Sequence, residues 1–199
     1  MSQIAVIDFE TTGLSPAMGD RATEVAIVLV EGGRVVDRFQ SLMNAGIGIP
    51  SFITSLTGIS NAMLATSPSA ASVMSDASRF ANNAPMVAHN ASFDRKFWVA
   101  ELERAGLAAP QPFVCTLLLS RRLYPQAPSY KLGSLAEYHR LPRAGKAHRA
   151  MADAEMAAYL LEKIRLDLRS RHNVATPDHA LLMTLQRRPK STFALSSAR

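Results

Sequence analysis

The chain has 199 residues, 48% of them hydrophobic and 19% charged, enough for one sizeable core with an appendage. One cysteine, Cys115, excludes an internal disulfide framework and a cysteine-based zinc site, and it fits a reducing, cytoplasmic setting. The longest apolar run, Val25 to Val30, is far short of the roughly 20 residues that span a bilayer, and Asp8 and Glu10 interrupt any leader-like start, so neither membrane nor signal peptide is expected. A net charge of +6 suits a polyanionic partner such as nucleic acid.

Taken in order, Ile4–Ile7 is a short β-branched run that reads as a strand buried on both faces, and it leads into Asp8-Phe9-Glu10. Alternation along a strand places Asp8 and Glu10 on one side and Phe9 on the other. A polar loop, Ser15 to Asp20, precedes a β-prone run from Thr23 to Val30. Glu31-Gly32-Gly33-Arg34 is a hairpin turn, and Val35 to Leu42 is the returning strand. Asn44 to Pro50 is a loop, followed by two short helical pieces on either side of Thr57-Gly58-Ile59. Ser67-Pro68 reads as a helix start, with the helix running to about Asn82. Met86 to His89 is a short strand, and Asn90 is expected to cap a helix from Ala91 to about Gly106, with Asp94 in its first turn. Phe113 to Thr116 is another strand, followed by a helix to about Leu123. A short helix carries Leu132, Leu135, Ala136 and Tyr138. After a loop from Leu141 to Ala147, His148 to Asp153 leads into a long helix with Met156, Ala157, Leu160, Leu161 and Ile164 on one face. Beyond Ile164, seven Lys and Arg face two Asp, and Ser191 to Arg199 reads as a loose end. The expected division is a domain over 1–164 and a basic, partly helical extension over 165–199.

Three meander strands followed by two helix–strand units predict an α/β fold: a mixed five-stranded sheet, an antiparallel meander plus two parallel strands, with helices on both faces. Strand ends and helix starts meet at one edge of such a sheet. That edge would collect Asp8, Glu10, Asp94 and Asp153. Four carboxylates with no lysine among them call for hard divalent cations, Mg²⁺ or Mn²⁺, because unpaired buried charges are costly. Two ions roughly 3.5–4 Å apart suit an in-line displacement at phosphorus. His148 stands five residues before Asp153, about 140° away on a helical wheel, so it belongs to the loop ahead of the helix. There it is a candidate general base. His89, His139, His172 and His179 have no acid at metal-ligand spacing.

Asp8-Phe9-Glu10-Thr11-Thr12-Gly13-Leu14, His89-Asn90-Ala91-Ser92-Phe93-Asp94 and His148-Arg149-Ala150-Met151-Ala152-Asp153 together resemble the three ordered motifs of the DEDDh exonucleases. The branch they resemble most is the proofreading (epsilon) subunit family of bacterial DNA polymerase III. Glu24-Val25-Ala26, Thr57-Gly58-Ile59 and Leu132-Gly133-Ser134-Leu135 support the resemblance, which covers about residues 3 to 164. It implies an RNase H-like fold and two-metal removal of nucleoside monophosphates from a 3′ end. Asp8, Glu10, Asp94 and Asp153 would be the metal ligands and His148 the base. The backbone at Thr11, Thr12 and Gly13 would hold the terminal nucleotide, with Leu14 and Ile59 on its base. His89, Asn90 and Phe93 of the second motif would line the substrate side. Lys131, Arg143, Lys146 and Arg149 are candidate phosphate contacts. Cys115 stands where many relatives carry an acid, and Ala152 where they often carry a second aspartate; neither is a ligand in the pattern. The expected substrate is nucleic acid with a free 3′ end, single-stranded or frayed DNA favoured and RNA the alternative. An extension past the nuclease core docks the polymerase in proofreading subunits, so residues 165–199 are a candidate docking or nucleic-acid-binding tail. A polymerase-associated binding module is the non-catalytic alternative.

Overall fold

The structure is a computed structural model that describes residues 3–142 and 148–189. Strands β1 (Ile4–Thr11), β2 (Ala22–Glu31) and β3 (Arg34–Leu42) form the expected antiparallel meander. β4 (Met86–Ala88) and β5 (Phe113–Cys115) join it in parallel, giving the order β3-β2-β1-β4-β5. The β2–β3 turn needs positive φ at two successive residues, and Gly32 (57°) and Gly33 (80°) supply it. The helices are α1 (Ser51–Thr57), α2 (Asn61–Ala65), α3 (Ala70–Ala81), α4 (Ser92–Arg104), α5 (Thr116–Leu123), α6 (Leu132–Tyr138), α7 (Ala150–His172) and α8 (His179–Leu185).

The sheet is covered on both faces, which is why its central strands are apolar at successive positions. Ile4 and Val6 of β1 face a core built with Leu160, Leu161 and Ile164 of α7. Ala5, Ile7 and Phe9 face the other core, with Met74 of α3 and Phe97 and Trp98 of α4. A small third core joins Ile49, Ile53, Ile59 and Leu64.

Three local expectations are corrected. α3 starts at Ala70, with the Ser69 hydroxyl accepting from Ser72 N–H (3.2 Å); Ser67 instead donates back to Met63 O (2.8 Å), and Pro68 O accepts Asn44 N–H (2.8 Å). Asn90 does not cap α4. It takes the left-handed conformation (φ 63°), which asparagine tolerates, and Ala91 occupies the cap position without a side-chain bond. Thr116 begins α5 rather than ending β5.

The expected boundary after Ile164 falls inside α7, which runs unbroken to His172. Arg165 is buried, donating to Pro177 O (3.1 Å) and pairing with Glu162 (2.9 Å). Asp167 is buried too, holding Lys163 (2.7 Å) and the Tyr124 hydroxyl (3.0 Å). α8 then lies along the outer strand. Gln186 Oε1 accepts Cys115 N–H (2.7 Å), and its Nε2 donates to Phe113 O (3.1 Å), so one side-chain amide satisfies the open edge of β5. Residues 190–199, which include the expected loose end from Ser191 to Arg199, lie outside the described residues.

Candidate active site

Asp8 and Glu10 point to the α7 face of the sheet, in register with Ala26 and Glu24 of β2. On the other side of β1, β4 pairs only with Ala5 and Val6, so Phe9 N–H has no strand partner there. Asp94, in the first turn of α4 and 2% exposed, fills the gap by accepting that N–H at 3.2 Å. Asp153 stands in the first turn of α7. Carboxylate oxygens of Asp8, Glu10 and Asp153 come within 4.8 Å of one another. Asp94 is not in that close group, although its charge acts on Asp8.

All four acids are held above the ordinary carboxylate range. Burial raises Asp8 well above it, helped by the charges of Asp94, Asp153, Glu10 and Glu24. Burial, then Asp153 and Glu24, lifts Glu10 to about 7, against the pull of Arg149. Asp94 rises to about 8 through burial, opposed by backbone N–H groups including that of Phe9. Asp153 is raised by burial and lowered by the N–H and charge of His148. Burial plus like charge, with hard oxygen donors only, is the chemistry of a divalent-cation site, so the residues present fit such an ion.

His148 lies ahead of α7, as its spacing from Asp153 predicts. It is exposed, has φ 59°, and donates its N–H to Asp153 Oδ2 (3.2 Å). The start of α7 is anchored by Glu24, a residue quoted above only as part of a supporting motif. Fully buried, Glu24 accepts both ends of the Arg149 guanidinium (3.1 and 2.7 Å), the Ala150 N–H (3.1 Å) and Gln40 Nε2 (2.8 Å). Arg149 is therefore committed to Glu24 rather than standing as a lone phosphate cation. A buried acid within an apolar strand pattern was the available signal; its partner, 125 residues away, was not.

The stretch after β1 is tied down by Asp20, which sequence reading missed. Asp20 Oδ2 accepts Ser15 N–H (2.8 Å), and its Oδ1 accepts the Thr12 hydroxyl (3.4 Å). A Cβ on Gly13 would lie 2.4 Å from Asp20 Oδ1, so any larger residue would push this carboxylate away from its partners. Thr11 donates to Gly13 O (2.6 Å), and the Thr11 and Thr12 side chains are both buried. Leu14 is 76% exposed and free to meet a base. Ile59 is not: it is fully buried in the third core and offers no surface to one.

A cleft of about 890 Å³ contains His148 and Asp153 together with His89, Asn90, Arg121, Tyr130 and Lys131. His89 is mainly a strut. Its Nε2 meets Tyr130 O and its Nδ1 the Thr116 hydroxyl, both at 2.9 Å, and burial lowers its pKa to about 4. Phe93 packs against Phe97 with the rings tilted (5.0 Å between centroids), and Lys96 lies over its ring. Cys115 Sγ accepts Ala91 N–H (3.4 Å), bracing the second motif. Arg143 and Lys146 lie outside the described residues.

An exonuclease family model matches residues 5–161. The 3′-5′ exonuclease DinG of Bacillus subtilis is 39% identical over 168 residues, 82% of this chain and 18% of that protein. A PolC-type DNA polymerase III of Caldanaerobacter subterraneus is 38% identical over 162 residues, 81% of this chain and 11% of that protein. The chain thus spans less than a fifth of the length of these two relatives. Among solved structures, Exonuclease X in complex with 5′ overhanging duplex DNA superposes with a TM-score of 0.69 at 27% identity, covering 90% of this chain and 99% of that one. The nuclease domain of 3′hExo, a DEDDh family member bound to rAMP, shares the fold with a TM-score of 0.71 at 19% identity, covering 83% and 92%. With the acids of all three motifs gathered on one sheet edge, the chain belongs to the exonuclease family.

Proposed function

We propose that this chain removes nucleoside 5′-monophosphates from the 3′ end of single-stranded or frayed DNA, in proofreading or repair. The observation that carries the reading is the approach of Asp8, Glu10 and Asp153 within 4.8 Å, with His148 joined to Asp153 and both facing one open cleft. Asp8, Glu10, Asp94 and Asp153 would hold two divalent cations, Mg²⁺ or Mn²⁺. When bound, such ions neutralise charge on the phosphate and on the departing oxygen. His148 takes a proton from the attacking water as the new P–O bond forms and the bond to the 3′ oxygen breaks. The turn from Thr11 to Leu14 receives the terminal nucleotide, its backbone held in place by Asp20 and Leu14 turned outward to the base. Asn90 and Phe93 border the same nucleotide. Support for DNA comes from the relatives: Exonuclease X is described with overhanging duplex DNA, and Exonuclease I of E. coli with a dT13 oligonucleotide. The PolC-type relatives favour work beside a replicative polymerase, with residues 165–199 as the contact.

The test uses 5′-labelled DNA and RNA strands of one sequence with Mg²⁺, Mn²⁺ or EDTA. A metal-dependent ladder shortening from the 3′ end of DNA, absent in Asp8→Ala, is expected. A ladder on RNA alone would reassign the substrate to RNA trimming. No ladder on either strand would leave a binding module.

A further inference from the structure

We infer that Arg121, mounted on Tyr130, is a strand-binding subsite for the sugar-phosphate backbone on the 5′ side of the scissile bond. The inference rests on the nuclease reading above and concerns the same cleft. Two arginines end α5, and they are used differently. Arg122 spends its guanidinium on Arg188 O (2.6 Å) and Leu118 O (2.7 Å). Arg121 is exposed, and no carboxylate pairs with it among the described residues. Its guanidinium carbon lies 5.9 Å from the centre of the Tyr130 ring.

Tyr130 is itself pinned at two points, one on its ring and one on its backbone. The Tyr130 hydroxyl donates to Tyr124 O (3.1 Å), and its carbonyl accepts from His89 Nε2 (2.9 Å). A guanidinium drawn over a ring at this distance is partly ordered before binding, and its N–H edge stays available for two phosphate oxygens. Lys131 follows in sequence and lines the same cleft, as do His148 and Asp153. The acids repel every phosphate of the strand except one whose charge is met by a cation. The backbone leading to the scissile bond therefore needs positive charge elsewhere in the cleft, and Arg121 and Lys131 are its cationic lining among the described residues. The cleft, about 890 Å³, lies near the upper end of the roughly 300–1,000 Å³ range that encloses a small ligand, so it has room beyond one terminal nucleotide.

The experiment compares kcat/KM for short oligothymidylates with kcat/KM for the p-nitrophenyl ester of thymidine 5′-monophosphate, which has no upstream strand. The expected result is that Arg121→Ala lowers the oligonucleotide-to-ester ratio about tenfold. It also reduces the dependence of log KM on log salt by about 0.7, the share of one phosphate contact on a single strand. Arg121→Lys, keeping the charge without the fork, recovers the salt dependence and part of the ratio. A ratio and salt slope in Arg121→Ala equal to those of the unsubstituted protein would overturn the subsite and leave the nuclease reading standing. An unsubstituted protein that hydrolyses the ester without favouring the oligonucleotide would do the same. Failure of the unsubstituted protein on both substrates would overturn the nuclease reading and the subsite with it.

Discussion

His148 is tied to the acids by its backbone, through the N–H to Asp153 Oδ2, and so its imidazole is not needed to hold them. His148→Ala is therefore expected to lower kcat by about 10²–10⁴, the usual worth of a positioned base, while Mn²⁺ affinity by calorimetry stays within about twofold. A large loss of affinity would instead make the ring a ligand. His89 bears on stability. Burial lowers its pKa from 6.5 to about 4, so the native state keeps it neutral where the unfolded chain protonates. The unfolded chain binds more protons across that interval. The stabilisation is thus complete above pH 6.5 and disappears as pH falls through 4, amounting to about 3 kcal/mol at most. His179, also lowered by burial, acts in the same direction. Melting temperatures between pH 7 and 4 should fall less steeply in His89→Gln; an unchanged slope would show that His89 is not the group responsible. The side shared by Asp8 and Glu10 was legible from strand alternation alone. The duty of His89 was not, because its partner carbonyl at Tyr130 is 41 residues away.

The start of α7 has no capping side chain of its own, since its first position follows Arg149. Glu24 of β2 replaces the cap, and in doing so holds the segment that carries both His148 and Asp153. Truncating Glu24 frees the one-third-exposed Arg149 and leaves the buried Ala150 N–H without its acceptor, at a cost of about 1–3 kcal/mol. Glu24→Gln keeps an acceptor for Ala150 N–H while losing the charge pair. It should retain a cooperative melt yet weaken Mn²⁺ binding and kcat by about tenfold or more; full activity would show that the anchor does not tune the site. At the other end of the sheet, α8 closes the β5 edge through Gln186 and buries Leu182 and Leu185. A chain ending at Ile164 loses that cover and about a third of α7's length. Its expected behaviour is aggregation, read by light scattering. Gln186→Ala in the full chain should cost about 1–3 kcal/mol by denaturant unfolding, from two unsatisfied backbone groups. Partner binding by the extension is accordingly better sought with surface changes at Arg187 and Arg188 than with deletion.

At the scale of the whole molecule, the order of strands and helices was readable because each element announces itself within a few residues. The Gly32-Gly33 turn, the apolar run of β2 and the periodicity of α7 are local signals. The five-stranded order follows from them by the rule that a helical crossover joins parallel strands. The net charge of +6 suggested a polyanion, but its placement reads differently in three dimensions. Arg165 and Arg149 are internal struts, whereas Arg121 faces the cleft. Three ordered acidic motifs and a histidine five residues before the last acid determined the family and a candidate catalytic constellation from sequence alone, because ligand chemistry restricts residue type at each position. Only the tertiary structure decided which residues hold that constellation in place. Glu24, Asp20, His89 and Gln186 act through partners that are distant in the chain or are backbone atoms common to every residue. It also decided that Ile59 is core, since burial depends on what packs over a residue and not on the motif that contains it.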